Sequence, residues 1–277
     1  KIQESTESLI ASSPYHIYDK NEENPISEAG AVWSFVLGDT GWVQNDKLVP
    51  DNFPSGSGKY NSRIQNGNFG ISVALKDNTM IVGMPGDNVD QNGFNVLTNS
   101  GSAFLYVRID NKNSWIATTK LVGRNTGINN NDNYGTHLAY SNGTLAIGSP
   151  GNSYDGNNDF YLANSGSIYF WNYTNGVWSY SSKISAQDGV LSEDSLRQSG
   201  DKFGSYFDFK DDTLVVGLPT KNNAGGVLVY KNVNGSWTNK GGLITSNDIV
   251  SGDLFGSSIS LDKLDDTVSF AIGSPNN

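Results

Sequence analysis

Four stretches of this chain are copies of one another. "FGISVALKDNTMIVGMP" at 69–85 returns as "YGTHLAYSNGTLAIGSP" at 134–150, "FGSYFDFKDDTLVVGLP" at 203–219 and "FGSSISLDKLDDTVSFAIGSP" at 255–275, with starts 65, 69 and 52 residues apart. Self-similarity at this period restricts the fold more than any single motif, because each copy is one supersecondary unit that must stack on its neighbours to bury its faces. Each copy holds two short apolar runs around a polar turn, the pattern of a hairpin, here strands A and B.

A loop of variable length follows each copy, then a Gly-led apolar strand C: "SGSAFLYVR" (100–108), "SGSIYFWNY" (165–173) and "GGVLVYK" (225–231). A turn and a Trp-led strand D close the unit: "SWIATTKLV" (114–122), "VWSYSSKIS" (177–185) and "SWTNKGGLI" (236–244). Upstream, "SLIASSP" (8–14), "EAGAVWSFV" (28–36) and "GWVQNDKLV" (41–49) supply strands B, C and D of an earlier unit, with Lys1 already inside its strand A. The units run approximately 1–68, 69–133, 134–202, 203–254 and 255–277, the last of them partial, in a single region 1–277. Four antiparallel strands per repeat predict an all-β fold, a β-propeller of four to five blades in this segment. Strand B ("MIVG", "LAIG", "LVVG", "SFAIG") is a continuous apolar run, as expected when neighbouring blades cover both faces. In strand A, Ile71, Val73 and Leu75 alternate with Ser72 and Ala74.

At "FG…VGMP", "YG…IGSP", "FG…VGLP" and "FG…IGSP" the chain resembles the FG-GAP repeat family, the blades of integrin-α-like β-propellers and of many prokaryotic surface proteins. The resemblance implies an extracellular or cell-surface recognition, adhesion or structural module with no catalysis of its own. Its partners would be a protein or glycan ligand at the surface, or neighbouring subunits of a surface assembly. Related propellers commonly close with seven blades, which at roughly 60 residues each need well over 400. The expectation is therefore that further strands come from outside the segment, and that strand B of the last unit (268–275) pairs with one of them. In integrin-like members the A–B loop carries an Asp-x-Asp-x-Asp-Gly calcium site; the turns here, "KDN", "SNG", "KDD" and "DKLDD", are too short to wrap an ion.

The rival reading is a carbohydrate-active enzyme, a lyase or hydrolase, using loop carboxylates and calcium on one face. Its residues would come from the B–C loops, "GDNVDQNGFN" (86–95) and "GNSYDGNNDFY" (151–161). Asp155, Asn157 and Asp159 have the alternating spacing that points oxygens at one centre, and Asp87 and Asp90 are the counterparts one unit earlier, so Ca2+ is the ion such loops would hold. Asx and Gly also gather in loops simply because they turn chains. Tyr154, Phe160 and Tyr161 occur in one loop only and are candidates for ligand contact. The recurrent Trp42, Trp115, Trp178 and Trp237 fit packing better than sugar stacking. No Ser/His/Asp set suggests itself around His16 and His137, the two histidines.

Other signals are exclusions. A net charge of −10 and a pI near 4.5 leave no Lys/Arg footprint for nucleic acid. No apolar run is long enough to span a membrane in this segment. With no cysteine there is neither disulfide nor thiolate chemistry. The Gly-x-Pro motif is no phosphate cradle, since Pro removes an N–H. "PSGSGKY" (54–60) lacks the upstream Gly of a P-loop and reads as a linker between blades. The sequons at Asn142, Asn172 and Asn234 lie in or beside expected hairpin turns and are glycosylation candidates; Asn-Gly also favours such turns with no glycan.

Overall fold

The computed structural model describes every residue except 1, 6–7, 51–52, 56–57, 61–62, 90–95, 109–113, 124–128, 187–195, 265–266 and 277. The chain divides into two units, Lys1–Leu138 and Ala139–Asn277. Each holds two four-stranded antiparallel sheets of the β-propeller blade type and one two-stranded sheet.

In the first unit, strands β1 (Ile2–Ser5), β2 (Ser8–Ser13), β3 (Ala31–Gly38) and β4 (Gly41–Leu48) form one blade in sequential order. Strands β7 (Val73–Lys76), β8 (Thr79–Met84), β9 (Ser102–Arg108) and β10 (Trp115–Leu121) form the next. Between them, β5 (Phe53–Ser55) and β6 (Gly58–Tyr60) pair as a separate hairpin, so the stretch expected to be a linker is itself a two-stranded sheet. The core between the blades joins Ile10 and Val32 to Phe69, Met80, Val82 and Phe104, all fully buried. Burying side chains of this size contributes about 1.5–3 kcal/mol each.

In the second unit, β11 (Leu138–Ser141), β12 (Thr144–Ser149), β13 (Ser167–Thr174) and β14 (Val177–Ile184) make one blade. Strands β15 (Tyr206–Lys210), β16 (Thr213–Leu218), β17 (Gly226–Val233) and β18 (Ser236–Asn239) make another, and β19 (Ser258–Leu264) pairs with β20 (Thr267–Gly273) as a hairpin. The expected fourth strand of the later blade ends early, because Gly241 and Gly242 turn at φ 98° and 72°. Pairing resumes only as an isolated bridge from Ile244 to Val227. Strand β16 is buried at every position, whereas β20 alternates between exposed and half-buried.

The motif residues explain themselves in this architecture. The Phe or Tyr of each Phe-Gly forms a parallel bridge with the Gly that leads strand C of the preceding repeat: Gly30 with Phe69, Gly101 with Tyr134, Gly166 with Phe203 and Gly225 with Phe255. The Gly of the strand-B motif sits against the backbone of the next Phe-Gly. A Cβ on Gly83 would lie 2.0 Å from the carbonyl oxygen of Gly135, and one on Gly148 would lie 2.0 Å from that of Gly204. Only a residue without Cβ allows that approach. Ser72, one of the small strand-A residues, is buried and donates its hydroxyl to the Gly135 carbonyl at 2.7 Å.

The recurrent tryptophans do not share one fate. Trp115 and Trp237 are buried, and Trp237 stacks on Phe170 at 4.7 Å. Trp178 is half-buried against Tyr140 and Tyr173. Trp42 is 38% exposed, so the packing expectation fails for the first blade.

Candidate functional site

The loops between strands B and C vary most from repeat to repeat, yet four share a base bond: Gly225 N–H to Lys221 O at 2.8 Å in the short loop of the later blade of the second unit, and its counterpart in each of three longer loops. The residue two after the motif Pro accepts a bond from the Gly that opens strand C: Gly30 N–H to His16 O at 2.9 Å, Gly101 N–H to Asp87 O at 2.9 Å, and Gly166 N–H to Asn152 O at 2.7 Å. A second rung follows at 2.7 Å in each: Ile26 N–H to Ile17 O, Leu97 N–H to Asn88 O, and Leu162 N–H to Ser153 O. Each loop therefore leaves the blade as a narrow ribbon.

Beneath each ribbon lies a buried lysine from strand D. Lys47, Lys120 and Lys183 pair across the sheet with Trp33, Phe104 and Tyr169, and each ammonium lies 5.5–5.6 Å from the ring centroid of that aromatic partner. The acceptors above them differ. Lys120 meets the Asp87 carboxylate at 2.7 Å and the Val89 carbonyl at 2.9 Å. Lys183 meets the Asn158 side-chain oxygen at 2.7 Å. Lys47 donates to the Asp19 carbonyl at 2.5 Å, to Glu22 at 2.6 Å and to His16 Nε2 at 2.9 Å. A buried ammonium must be matched by acceptors, so each lysine fixes the path of the loop over it. In the later blade of the second unit the lysine comes from the loop itself: Lys221, on the short 3₁₀ turn Lys221–Asn223, pairs with Asp201 at 2.9 Å and donates to the Leu196 carbonyl. Burial pushes the Asp201 carboxyl up, and Lys221 opposes that shift.

Two further devices recur. Arg63 and Arg197 stand six residues before a Phe-Gly and clasp loop carbonyls, Arg63 those of Ile17 and Asn24, Arg197 those of Phe160 and Ser153. Asp132, Asp201 and Asp253 stand two residues before it, and each accepts from the backbone N–H three residues earlier. Residues 65–106 match the family model described as FG-GAP repeat. The chain carries an FG-GAP repeat. Comparison with curated proteins gives no match. FG-GAP repeats are typical of extracellular or surface proteins, and among the described residues no helix is long and apolar enough to cross a membrane.

In the matched FG-GAP repeat, Asp87 is fully buried and committed. Besides Lys120 it accepts from the Ser102 hydroxyl at 2.6 Å and from Val89 N–H at 3.3 Å. Its oxygens hold the loop base. Asp90 lies outside the described residues. One repeat later, Asp155 is buried and its Oδ1 accepts the Asp159 N–H at 2.8 Å, a local turn closure, while Asn157 and the Asp159 side chain are exposed. Among the described residues no three His, Cys, Asp or Glu side chains are placed to share an ion.

The aromatics of that loop form its outer surface. Tyr154 and Tyr161 bridge across the ribbon with rings edge to face at 5.4 Å, and Phe160 and Tyr161 are 46% and 62% exposed. In the first unit the corresponding loop presents Tyr15 and Tyr18, 64% and 40% exposed. A cleft of about 460 Å³ beside it is lined by Asp19, Lys20, Lys47, Tyr106 and Trp115. The sequons separate structurally. Asn142 and Asn234 head tight turns at φ 46° and 53°, the Asn142 side chain donating to Asp211. Asn172 lies within β13 rather than a turn, with its oxygen accepting from Thr144 at 3.1 Å.

The lysines and arginines were not recognised from sequence. Their signal was present, as the "KL" and "KI" ending strand D and the Arg six residues before Phe-Gly, but nothing local says which distant loop they hold.

Proposed function

We propose that this chain is a non-catalytic recognition or structural module of an extracellular or cell-surface protein, built on FG-GAP propeller blades and contacting a protein or glycan through its B–C loops. One observation carries the reading: buried charged side chains at the base of these loops and beneath them hold the loops in place, while aromatic rings on the loops turn outward. Lys47, Arg63, Asp87, Lys120, Lys183 and Arg197 are all buried and bonded to their own loops. Phe160, Tyr161, Tyr15 and Tyr18 are exposed. Rigid aromatics on a fixed loop give large contact area at low entropic cost, which suits recognition.

The test displays the chain on beads and measures retention on a glycan array and on monolayers of intact cells. The variant Phe160→Ser/Tyr161→Ser, with circular dichroism unchanged, should lose at least about tenfold in retention, as removal of two aromatic anchors implies. Cleavage of polysaccharides by the purified chain, or retention that is unaffected by the variant, would overturn the reading.

A further inference from the structure

The three loops held by strand-D lysines carry different side chains at the entry position. Where the second blade has Asp87 and the third has Asn152, the first has His16, fixed there by the same base bond from the strand-C glycine. Asp87 brings a negative charge to the lysine below it, and Asn152 is a neutral amide that does not titrate. His16 alone places a group that gains charge between pH 5 and 7 within 2.9 Å of a buried ammonium.

The chemistry of that contact has one solution at neutral pH. Lys47 has three N–H bonds and three acceptors, Asp19 O, Glu22 Oε1 and His16 Nε2. An ammonium can only donate, so Nε2 must carry its lone pair and His16 must be neutral. Protonation removes the acceptor and sets two cations face to face. The other groups around the ring do not reverse this. Glu22 Oε2 lies 3.7 Å from Nε2, but its other oxygen is already held by Lys47 and its side chain is 59% exposed. Asp19 turns its carboxylate to Asn21, Glu23 and Asn24 of its own loop. Lys20 and Asp46 pair with each other, and Arg63 adds a further positive charge from the segment before Phe69. The rings of Tyr18 and Trp33 pack against His16 at 6.0 and 5.0 Å. The loop is also wound tightly: Glu22 and Glu28 adopt φ 62° and 53°, a region that side-chain-bearing residues seldom occupy.

We infer that His16 is an acid-sensitive latch on the B–C loop of the first blade: neutral, it accepts the Lys47 ammonium and holds residues 15–29 down; protonated, it repels Lys47 and releases them. Burial and Lys47 hold the imidazole below its ordinary 6.5. A base with a lowered folded-state pKa contributes stability in full above 6.5, and that stability is lost as pH falls toward the folded value. The released segment carries Tyr15 and Tyr18, so acidification withdraws an exposed aromatic surface from its fixed geometry.

Hydrogen–deuterium exchange of the whole chain at pH 7.5 and 5, corrected for intrinsic rates, tests this. Protection in peptides covering 15–29 should fall several-fold and by up to about 30-fold, the limit set by 1.5 pH units below the reference pKa, while peptides covering 151–166 stay unchanged. His16→Asp, which copies the second blade, should abolish the fall. A proton NMR titration of the unaltered His16, assigned with His137→Gln, gives an answer that needs no change at the latch. A pKa at or above 6.5, exchange in 15–29 that does not respond to pH, or an equal response in His16→Asp would each overturn the inference.

Discussion

Replacing Lys120 by Met tests whether the loop bases are held by buried charge. The side chains of Lys120 and Asp87 are 2% and 0% exposed, and they meet at 2.7 Å. Lys120→Met keeps most of the hydrophobic stem over Phe104 but leaves the Asp87 carboxylate buried with two neutral donors, Ser102 and Val89 N–H, and no cation. Breaking one side of such a pair costs about 3–5 kcal/mol, most of it the penalty of the charge left behind. Asp87→Ala takes the counter-charge from the buried ammonium instead and costs a similar amount. The double variant removes both charges and should recover most of the loss, so the coupling measured by a double-mutant cycle is several kcal/mol. Urea unfolding of the wild type, both single variants and the double variant, read by circular dichroism and by fluorescence, supplies the four values. Additive costs, or a double variant less stable than either single one, would refute the argument that the pair fixes the loop through mutual neutralisation.

Other outcomes follow from the same geometry. Gly83→Ala would drive a methyl to 2.0 Å from the Gly135 carbonyl oxygen, and thermal unfolding should show a loss of at least about 3 kcal/mol, the upper end of overpacking. Trp237→Ala, which empties the stack on Phe170 and the edge contact with Phe209, should cost about 3–5 kcal/mol in the same assay. Lys263 of β19, which bridges at 3.0 Å to Asp212 on a half-exposed turn, should cost under about 1 kcal/mol as Lys263→Ala, and that cost should shrink in 1 M salt. Asp201 carries the opposite pH sign to His16. Its carboxyl is raised by burial, so the folded state holds the proton more tightly, and acidification from pH 7 to 5 should not loosen residues 219–225 through this group when followed by hydrogen exchange.

The blades were legible because their causes are local. Alternation in strand A, the apolar run of strand B and the Asn-Gly turns each act over a few residues, and the fourfold copy told which of them belonged together. The stopping of β18 was written in Gly241-Gly242, but "GGLI" also resembled the apolar end of a strand D, and the repeat pattern outweighed the two glycines. Trp42 was misjudged because burial belongs to the neighbour as much as to the residue. The loop carboxylates are the more instructive case. Asp87 in a row of Asx and Gly looks like an ion ligand, and nothing nearby in sequence announces that Lys120, from the far strand of the same sheet, already neutralises it. Charge pairing across a sheet depends on register, and register emerges only once the blade is assembled.

The bond at the base of each B–C loop makes the loop a replaceable cassette. Entry and exit are tied by one N–H···O contact, from Gly30 to His16, Gly101 to Asp87 and Gly166 to Asn152, whatever sequence lies between. Strands B and C keep their pairing on the blade side of that tie, so a foreign segment spliced in beyond it would not shift the sheet register. Such an insert would still need an acceptor for the lysine underneath, supplied at the entry position as by Asp87 and His16 or further along the loop as by Asn158.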